Sequence, residues 1–174
     1  NLLEKFDHVI INPVIGPKKS GDVKFSALRK AFHFLIKNKY GKKRLSFIPI
    51  LANMFYAGPY EAIHHANIRS FFGIKYFLIG RDHAGAQNVY KSDAAIKLVN
   101  KHKKSLKLKP VTLNGSYFCI ECNKIIIKGN CNHKNLENIS GTDFRNHLKK
   151  KKHFKYADYD MQIDLKKLTD IFVK

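Results

Sequence analysis

Apolar and polar positions alternate along the chain in blocks that predict strands and helices in turn. Short apolar runs bounded by glycine, proline or polar residues are typical of buried strands, whereas apolar residues three and four apart indicate helices. Helical spacing is clear at Leu28, Ala31, Phe32, Leu35 and Ile36. The predicted order is strand 8–15, helix 26–38, strand 45–51, helix 59–71, strand 76–79, helix 92–104 and strand 110–113.

This alternation predicts an α/β fold with a single doubly wound parallel sheet, covered by helices on both faces. The pattern changes at Tyr117, where a cysteine-containing segment begins. Two further helices are predicted at 143–150 and 165–172. The expected organisation is therefore an α/β core at 1–116, a small cysteine-containing insert at 117–136 and a helical C-terminal region at 137–174.

The most informative segment follows the predicted third strand. The apolar run Tyr76-Phe77-Leu78-Ile79 ends abruptly in Gly80-Arg81-Asp82-His83-Ala84-Gly85. In open α/β sheets, ligands bind at the carboxyl edge of the strands, where this hexapeptide would lie. Glycine permits close approach of the backbone to a ligand, and arginine offers a planar fork of donors for phosphate or sulfate. The alternative is an ordinary charged loop between a strand and a helix.

A second candidate site is formed by the three cysteines. Cys119 and Cys122 form a CxxC pair, and Cys131 and His133 follow after a short loop. Three thiolates and an imidazole are a common ligand set for structural zinc. The Cys-x-His spacing is tight, so His147 is an alternative fourth ligand. Three clustered cysteines do not suggest a disulfide framework, which favours a cytoplasmic location.

The charge of the chain is strongly positive, with a formal net charge of +20. Only five of the 33 basic residues are arginines, and the rest are lysines that include the runs within 101–109 and 149–155. Lysine runs are usually solvated faces, and few aromatic residues interrupt them, so a dedicated nucleic-acid surface is not expected. A field that attracts small anions agrees with this composition. No apolar run approaches the length of a membrane span.

Several loops add candidate capping and anion-binding groups. Pro59 suits the first turn of a helix. Ser26, Ser92 and either Ser140 or Thr142 are candidate helix caps. The stretch 56–65 follows a strand and opens a helix, where free backbone N–H groups favour an anion. His64 and His65 cannot share a face of that helix, but His65 and Arg69, one turn apart, can.

Taken together, these segments resemble the sulfate adenylyltransferase (ATP sulfurylase) family over about residues 5–172. The GRDHAG segment is highly specific, and the cysteine-histidine insert is similar to that of bacterial-type members. The matching pieces occur in family order. They are Asn12-Pro13-Val14-Ile15-Gly16 with Lys19 and Asp22, Tyr56-Ala57-Gly58-Pro59 with Glu61-Ala62 and His65-Ala66, Gly80 to Gly85, and Ile139-Ser140-Gly141-Thr142 with Arg145.

The resemblance implies a Rossmann-like nucleotidyltransferase fold, with a nucleotide-binding core at 1–116 and a zinc-binding insert at 117–136. It also implies the reaction of MgATP with sulfate to adenosine 5′-phosphosulfate and pyrophosphate, with Mg²⁺ and a structural Zn²⁺ as metals. It implies ATP contacts from Gly80, Arg81, Asp82, His83 and Gly115, and a sulfate contact from the backbone N–H of Ala84. Arg81 and His83 are the expected catalytic residues. ATP and sulfate are the expected partners, and a homo-oligomer is left open.

The chain also departs from the family pattern. Family members carry a Gln-x-Arg-Asn segment and a nearby His-x-x-His before the part that corresponds to the start of this chain, and neither motif occurs here. We therefore expect a fragment of a longer protein. Two other interpretations stay open: a catalytically inactive relative that binds nucleotide or partners, and a basic zinc-ribbon protein that binds nucleic acid.

Overall fold

The computed structural model describes residues 2–81, 83, 89–113, 115–127 and 129–174. The chain divides into two compact units, one built from Asn1–Met54 with Ile139–Lys174 and the other from Phe55–Asn138. The predicted insert at 117–136 lies within the second unit. Among the described residues, no helix has both the length and the apolar character needed to cross a membrane.

The first unit contains a parallel pair of strands, β1 (Val9–Ile11) and β2 (Leu45–Phe47). Helix α1 (Phe25–Leu35) lies between them in the chain and continues into a π-helical turn, Ile36–Tyr40. Both strands are shorter than predicted, although a parallel bridge joins Val14 to Ile50 further along. Residue Lys24 precedes α1 without a side-chain cap, so the expected cap at Ser26 is not formed.

The closing segment of this unit differs from the prediction. Helix α4 spans Gly141–Lys149 and α5 spans Tyr159–Lys166, so the helix expected at 165–172 is wrong. The Asp158 side chain accepts a hydrogen bond from Met161 N and begins α5 earlier. Residues 171–173 are instead extended, because Val173 and Ile171 exchange backbone hydrogen bonds with the segment 21–24. The core of the unit is Ala27, Leu148, Met161 and Leu165.

The second unit contains another parallel pair, β3 (Tyr76–Gly80) and β4 (Lys109–Leu113). Helices α2 (Pro59–Phe71) and α3 (Ala94–His102) pack against it around the buried residues Ala62, Ile79, Ala95 and Val99. Pro59 occupies the first turn of α2 as predicted. The expected cap at Ser92 is not formed, because Asp93 is the N-cap residue of α3 and makes no side-chain cap.

A three-stranded sheet follows in the order β6-β5-β7, formed by Lys124–Ile127, Ser116–Cys119 and Leu136–Ile139. Strands β5 and β6 are antiparallel. The mixed α/β class and the parallel strand pairs agree with the predicted class. The single doubly wound sheet does not form among the described residues, because the parallel strands belong to two separate two-stranded sheets.

Candidate functional site

The carboxyl edge of the β3–β4 pair brings two predicted ligand residues together. Gly80 is the last residue of β3, paired with Leu113 of β4. Arg81 follows as an exposed residue, and Gly115 lies two residues beyond β4. A Cβ atom built on Gly115 would lie 3.7 Å from Cζ of Arg81, so the backbone of Gly115 runs beside the guanidinium. The left-handed φ of +115° at Gly115 suits a residue without a side chain.

His83 lies in the same loop and contacts helix α2. Its Nε2 atom is 3.1 Å from Nδ1 of His65, and its ring meets Phe77 edge to face at a centroid distance of 5.6 Å. Burial, followed by the neighbouring His65 and Arg69, lowers the pKa of His83 to about 4. His83 is therefore neutral near pH 7 in the ligand-free chain. Asp82 and Ala84, the other predicted residues of this loop, lie outside the described residues.

Three buried polar residues of α2, here called the polar stripe, include the histidine that contacts His83. Glu61, His65 and Arg69 follow one another at intervals of four residues and are 0%, 4% and 5% exposed. Nε2 of His65 lies 3.0 Å from Oε1 of Glu61, although the contact lacks the alignment of a full hydrogen bond. Burial, followed by Arg69 and His64, lowers the pKa of His65 to about 4. Three polar residues at helical spacing are buried together here, which is unusual unless they are paired.

Arg69 is the buried cation of the stripe. Its Nη1 donates to the backbone carbonyl of His65 at 3.1 Å, and its guanidinium lies over the Phe77 ring, 4.7 Å from the centroid. Burial lowers the pKa of Arg69 to about 10, which still leaves it charged at neutral pH. The sequence predicted a shared face for His65 and Arg69, but it missed Glu61 as a third member, although the same four-residue spacing was the signal.

The carboxylate of Glu61 also holds the loop before α2. It accepts hydrogen bonds from the backbone N–H groups of Phe55 at 3.2 Å and Ala57 at 3.1 Å. Glu61 occupies the third position of α2, so this is a relative of the capping box in which the side chain reaches back beyond the N-cap residue Gly58. Glu61 thereby links the loop 55–58 to the histidine pair.

The cysteine cluster forms as predicted from its spacing. Cys119, Cys122, Cys131 and His133 each offer one ligand atom, and these atoms all lie within 4.8 Å of one another. Nδ1 of His133 is 3.3 Å from the sulfur of Cys119 and 3.2 Å from that of Cys122. His147, the alternative fourth ligand, lies on α4 in the first unit, where its Nδ1 donates to the backbone oxygen of Asp143 at 2.8 Å.

The geometry of the cluster fits a tetrahedral metal. Zn–S bonds of about 2.3 Å place two tetrahedral sulfur ligands about 3.8 Å apart, within the spread of these atoms. The side chain of Cys119, followed by desolvation and the Cys131 thiol, raises the pKa of Cys122 to about 11. A divalent cation at the centre would reverse that effect, because it stabilises thiolates. The cluster is thus compatible with zinc.

The turn of the CxxC pair has the backbone expected of such a site. The N–H of Cys122 points to the Cys119 sulfur at 3.4 Å, and Asn123 adopts a left-handed φ of +48°. Asparagine tolerates that conformation better than most residues. Glu121 accepts a hydrogen bond from Asn135 at 2.9 Å and ties the turn to the segment just before β7.

The family segment Ile139-Ser140-Gly141-Thr142 forms a helix cap in the first unit. Ser140 Oγ accepts a hydrogen bond from Asp143 N at 3.0 Å, as predicted for a cap of α4. Arg145 is half-buried and donates to the hydroxyl of Thr142 at 3.0 Å. These contacts give Ser140, Thr142 and Arg145 structural roles at the start of α4.

Comparison with known proteins identifies relatives of this chain. The ATP-sulfurylase family model matches residues 1–155. A sulfate adenylyltransferase of Carboxydothermus hydrogenoformans is 35% identical over 153 residues, which cover 86% of this chain and 40% of that protein. That of Pyrococcus abyssi is 38% identical over 142 residues, which cover 80% of this chain and 37% of the relative. The chain therefore spans about two fifths of the length of these relatives.

A solved structure has a similar fold. A chain described as the hexameric APS kinase from Thiobacillus denitrificans superposes with a TM-score of 0.68 at 12% identity, over 96% of this chain and 32% of that one. At that identity the likeness concerns the fold alone. The family match over residues 1–155, together with relatives at about 35% identity, decides the assignment: this chain belongs to the ATP-sulfurylase family.

Proposed function

We propose that this chain is the ATP- and sulfate-binding part of a sulfate adenylyltransferase, which converts MgATP and sulfate to adenosine 5′-phosphosulfate and pyrophosphate. The proposal extends to this chain the activity named for relatives of which it spans about two fifths. One structural observation carries it: the guanidinium of Arg81 and the backbone of Gly115 adjoin at the carboxyl edge of a parallel strand pair. That edge is where α/β proteins bind nucleotides.

The proposed contacts divide between two anions. Gly80, Arg81, Asp82, His83 and Gly115 bind ATP, and the backbone N–H of Ala84 binds sulfate. Arg81 carries a permanent positive charge that suits the triphosphate. His83 is neutral in the ligand-free chain and contributes charge only if an anion raises its proton affinity.

The reaction is an in-line displacement at the α-phosphorus. A sulfate oxygen forms the new bond to phosphorus, and the bond to the bridging oxygen of the β-phosphate breaks, so pyrophosphate leaves with that electron pair. The protein performs no covalent step and contributes by holding both anions at the correct distance and spreading their charge. Mg²⁺, which accompanies ATP, would neutralise phosphate oxygens.

Zinc in the cluster of Cys119, Cys122, Cys131 and His133 is proposed as a structural ion. All four donors are protein side chains, so no coordination position is left for a substrate, as in structural rather than catalytic zinc sites. The solved chain of similar fold is described as hexameric. We propose that this chain also forms a homo-oligomer, and light scattering would measure its molar mass in solution.

The test is the replacement Arg81→Ala in the full-length protein, with Arg29→Ala as a matched control. Arg29 is an exposed arginine on α1, outside every candidate motif. Pyrophosphate release is measured with MgATP and sulfate together and with each one alone. We expect release only when both are present, and a loss on the order of 10²-fold in Arg81→Ala, the cost of removing one preorganised donor.

The outcomes separate the alternatives. Normal release by Arg81→Ala would contradict the assigned role of Arg81. ATP binding without sulfate-dependent release would favour an inactive nucleotide-binding relative. Salt-sensitive binding of unrelated DNA or RNA, in place of ATP binding, would favour a nucleic-acid function for the lysine-rich surface.

A further inference from the structure

Glu61, His65 and His83 form a line of three polar side chains, and the two histidines are in contact through one nitrogen each. The carboxylate stands at one end, 3.0 Å from Nε2 of His65. Nδ1 of His65 then lies 3.1 Å from Nε2 of His83. Two neutral imidazoles that meet in this way must share a single proton, so one nitrogen donates and the other accepts.

The hydrogen bonds of Glu61 decide which nitrogen donates. Both carboxylate oxygens already accept a backbone N–H, from Phe55 and from Ala57, so the oxygen that faces His65 presents lone pairs. A lone pair of His65 Nε2 facing this carboxylate at 3.0 Å would be repelled. Nε2 of His65 therefore carries the hydrogen, and Nδ1 of His65 keeps the lone pair.

The same reasoning passes along the line to His83. Because Nδ1 of His65 is an acceptor, Nε2 of His83 must be the donor across the 3.1 Å contact. Nδ1 of His83 is then the nitrogen with the lone pair. The ring is also held from the side by Phe77, which it meets at an angle of 85°. The orientation of His83 is thus set by helix α2 and strand β3.

We propose that Glu61 and His65 are positioning residues for His83: they hold it as the Nε2–H tautomer and present Nδ1 as the atom that accepts a proton or a hydrogen bond when ligand arrives. The inference rests on the proposed function for the identity of the ligand, but not for the tautomer. Protonation of Nδ1 would make His83 a donor to a phosphate or sulfate oxygen, and the buried carboxylate of Glu61 would balance the new charge through His65.

The groups around Glu61, His65 and His83 favour neutral histidines until an anion binds. Arg69, beside both histidines, disfavours a proton on either ring, whereas Glu61 favours one on His83. His64, on the same helix, packs against Phe55 and adds a further unfavourable contribution at His65. The line is therefore neutral at rest, and an arriving anion supplies the attraction that it lacks.

The tautomers can be read directly by long-range ¹H–¹⁵N correlation spectra of the ¹⁵N-histidine-labelled 174-residue chain, without ligand, at pH 7. His65 and His83 are assigned by the variants His65→Asn and His83→Asn. Both rings are expected to be neutral Nε2–H tautomers. An Nδ1–H tautomer at either ring, or a protonated ring, overturns the proposal. The tautomers are read in the unsubstituted chain, and the two variants serve only to assign the signals.

The variant Glu61→Gln tests the cause. A glutamine amide can donate to Nε2 of His65 and so invert the line, and we expect the Nδ1–H form of His83 to become the major one. His64→Asn, the matched control on the same helix, should leave the tautomer of His83 unchanged. An unaltered His83 tautomer in a folded Glu61→Gln variant would refute the role of Glu61.

A titration with MgATP separates this inference from the proposed function. Proton uptake at Nδ1 of His83 is expected as the site fills. If MgATP leaves every histidine signal unchanged while both ligand-free tautomers are as expected, the proposed ATP site fails and the positioning line stands.

Discussion

Nδ1 of His65 and Nε2 of His83 lie 3.1 Å apart, although 18 residues separate them in the chain. His65 belongs to α2 and His83 to the loop after β3, so the contact connects two of the motifs that place this chain in its family. Burial keeps both rings neutral, and the pKa of each is lowered to about 4.

We expect acid to destabilise the protein through these two histidines. An unfolded histidine takes up a proton near pH 6.5, whereas each folded one does so only near pH 4, so a fall in pH through this window favours unfolding. Stability is fully present above pH 6.5. The loss is at most about 3 kcal/mol for one histidine, from 1.36 kcal/mol per pKa unit.

Urea denaturation at pH 7, 5.5 and 4.5 measures how the free energy of unfolding depends on pH. The variant His83→Asn should show a weaker dependence on pH between 6.5 and 4 than the unaltered chain, and His64→Asn should retain it. Equal slopes in all three proteins would show that other groups govern the acid response.

Removal of zinc should destabilise the second unit. We expect one zinc ion per chain as purified, release by a strong chelator, and a lower free energy of unfolding in the metal-free form, because the four ligands close the turn at 119–122 and the loop to His133. Elemental analysis and the cobalt-substituted absorption spectrum would report the ion and its thiolate ligands.

The two candidate fourth ligands provide a matched pair. His133→Ala should weaken zinc affinity by at least about tenfold, whereas His147→Ala should leave it unchanged, since Cys119, Cys122, Cys131 and His133 already supply four ligand atoms. The reverse ranking would restore His147 as the ligand.

Gly58 should be intolerant of a side chain. Its φ and ψ of 59° and −129° are unfavourable for other residues, and an added Cβ would lie 2.3 Å from Cε2 of Tyr90. Gly41, with φ 76° and ψ 155°, has nothing within 4 Å of such a Cβ. Backbone strain should lower the free energy of unfolding of both alanine variants by about 1–3 kcal/mol, and the decrease should be larger for Gly58→Ala.

The part of the Gly58→Ala destabilisation that comes from the Tyr90 ring can be measured by removing that ring. In a Tyr90→Ala background, the cost of Gly58→Ala should fall toward that of Gly41→Ala, as measured by urea denaturation. If Gly58→Ala costs the same with and without the Tyr90 ring, the close approach contributes nothing.

Gln162 should be essential for the last segment of the first unit. Its fully buried side chain accepts from Phe154 N at 2.8 Å and donates to the carbonyls of Phe154 and Ala157 at 3.0 and 2.9 Å. Gln162→Leu keeps the approximate volume but leaves Phe154 N and the Ala157 carbonyl without these partners, while the Phe154 carbonyl still accepts from Ala157 N at 3.2 Å. Thermal and urea denaturation should show a loss of about 2–4 kcal/mol.

The control for Gln162 lies on the same helix. Asp164 forms an exposed ion pair with Lys167 at 3.0 Å, and Asp164→Asn should change stability by less than about 1 kcal/mol. A mild effect of Gln162→Leu, comparable to that of Asp164→Asn, would mean that water replaces the lost partners.

The sequence by itself determined the family, the order of most elements and the chemistry of the candidate residues. Helix α2 begins at Pro59 because proline suits a first turn, and the spacing of Cys119, Cys122, Cys131 and His133 predicted their cluster. These features depend on residues close together in the chain, where spacing alone constrains geometry.

Only the tertiary structure decided the contacts between distant segments. Local apolar spacing predicted a helix at 165–172, but hydrogen bonds to residues 21–24 hold 171–173 extended. The sequence could not show that Glu61 and His65 meet His83, or that Gly115 lies beside Arg81, because strand pairing and helix packing bring these residues together. Burial also set the neutral state of both histidines, since an exposed imidazole would keep its ordinary pKa.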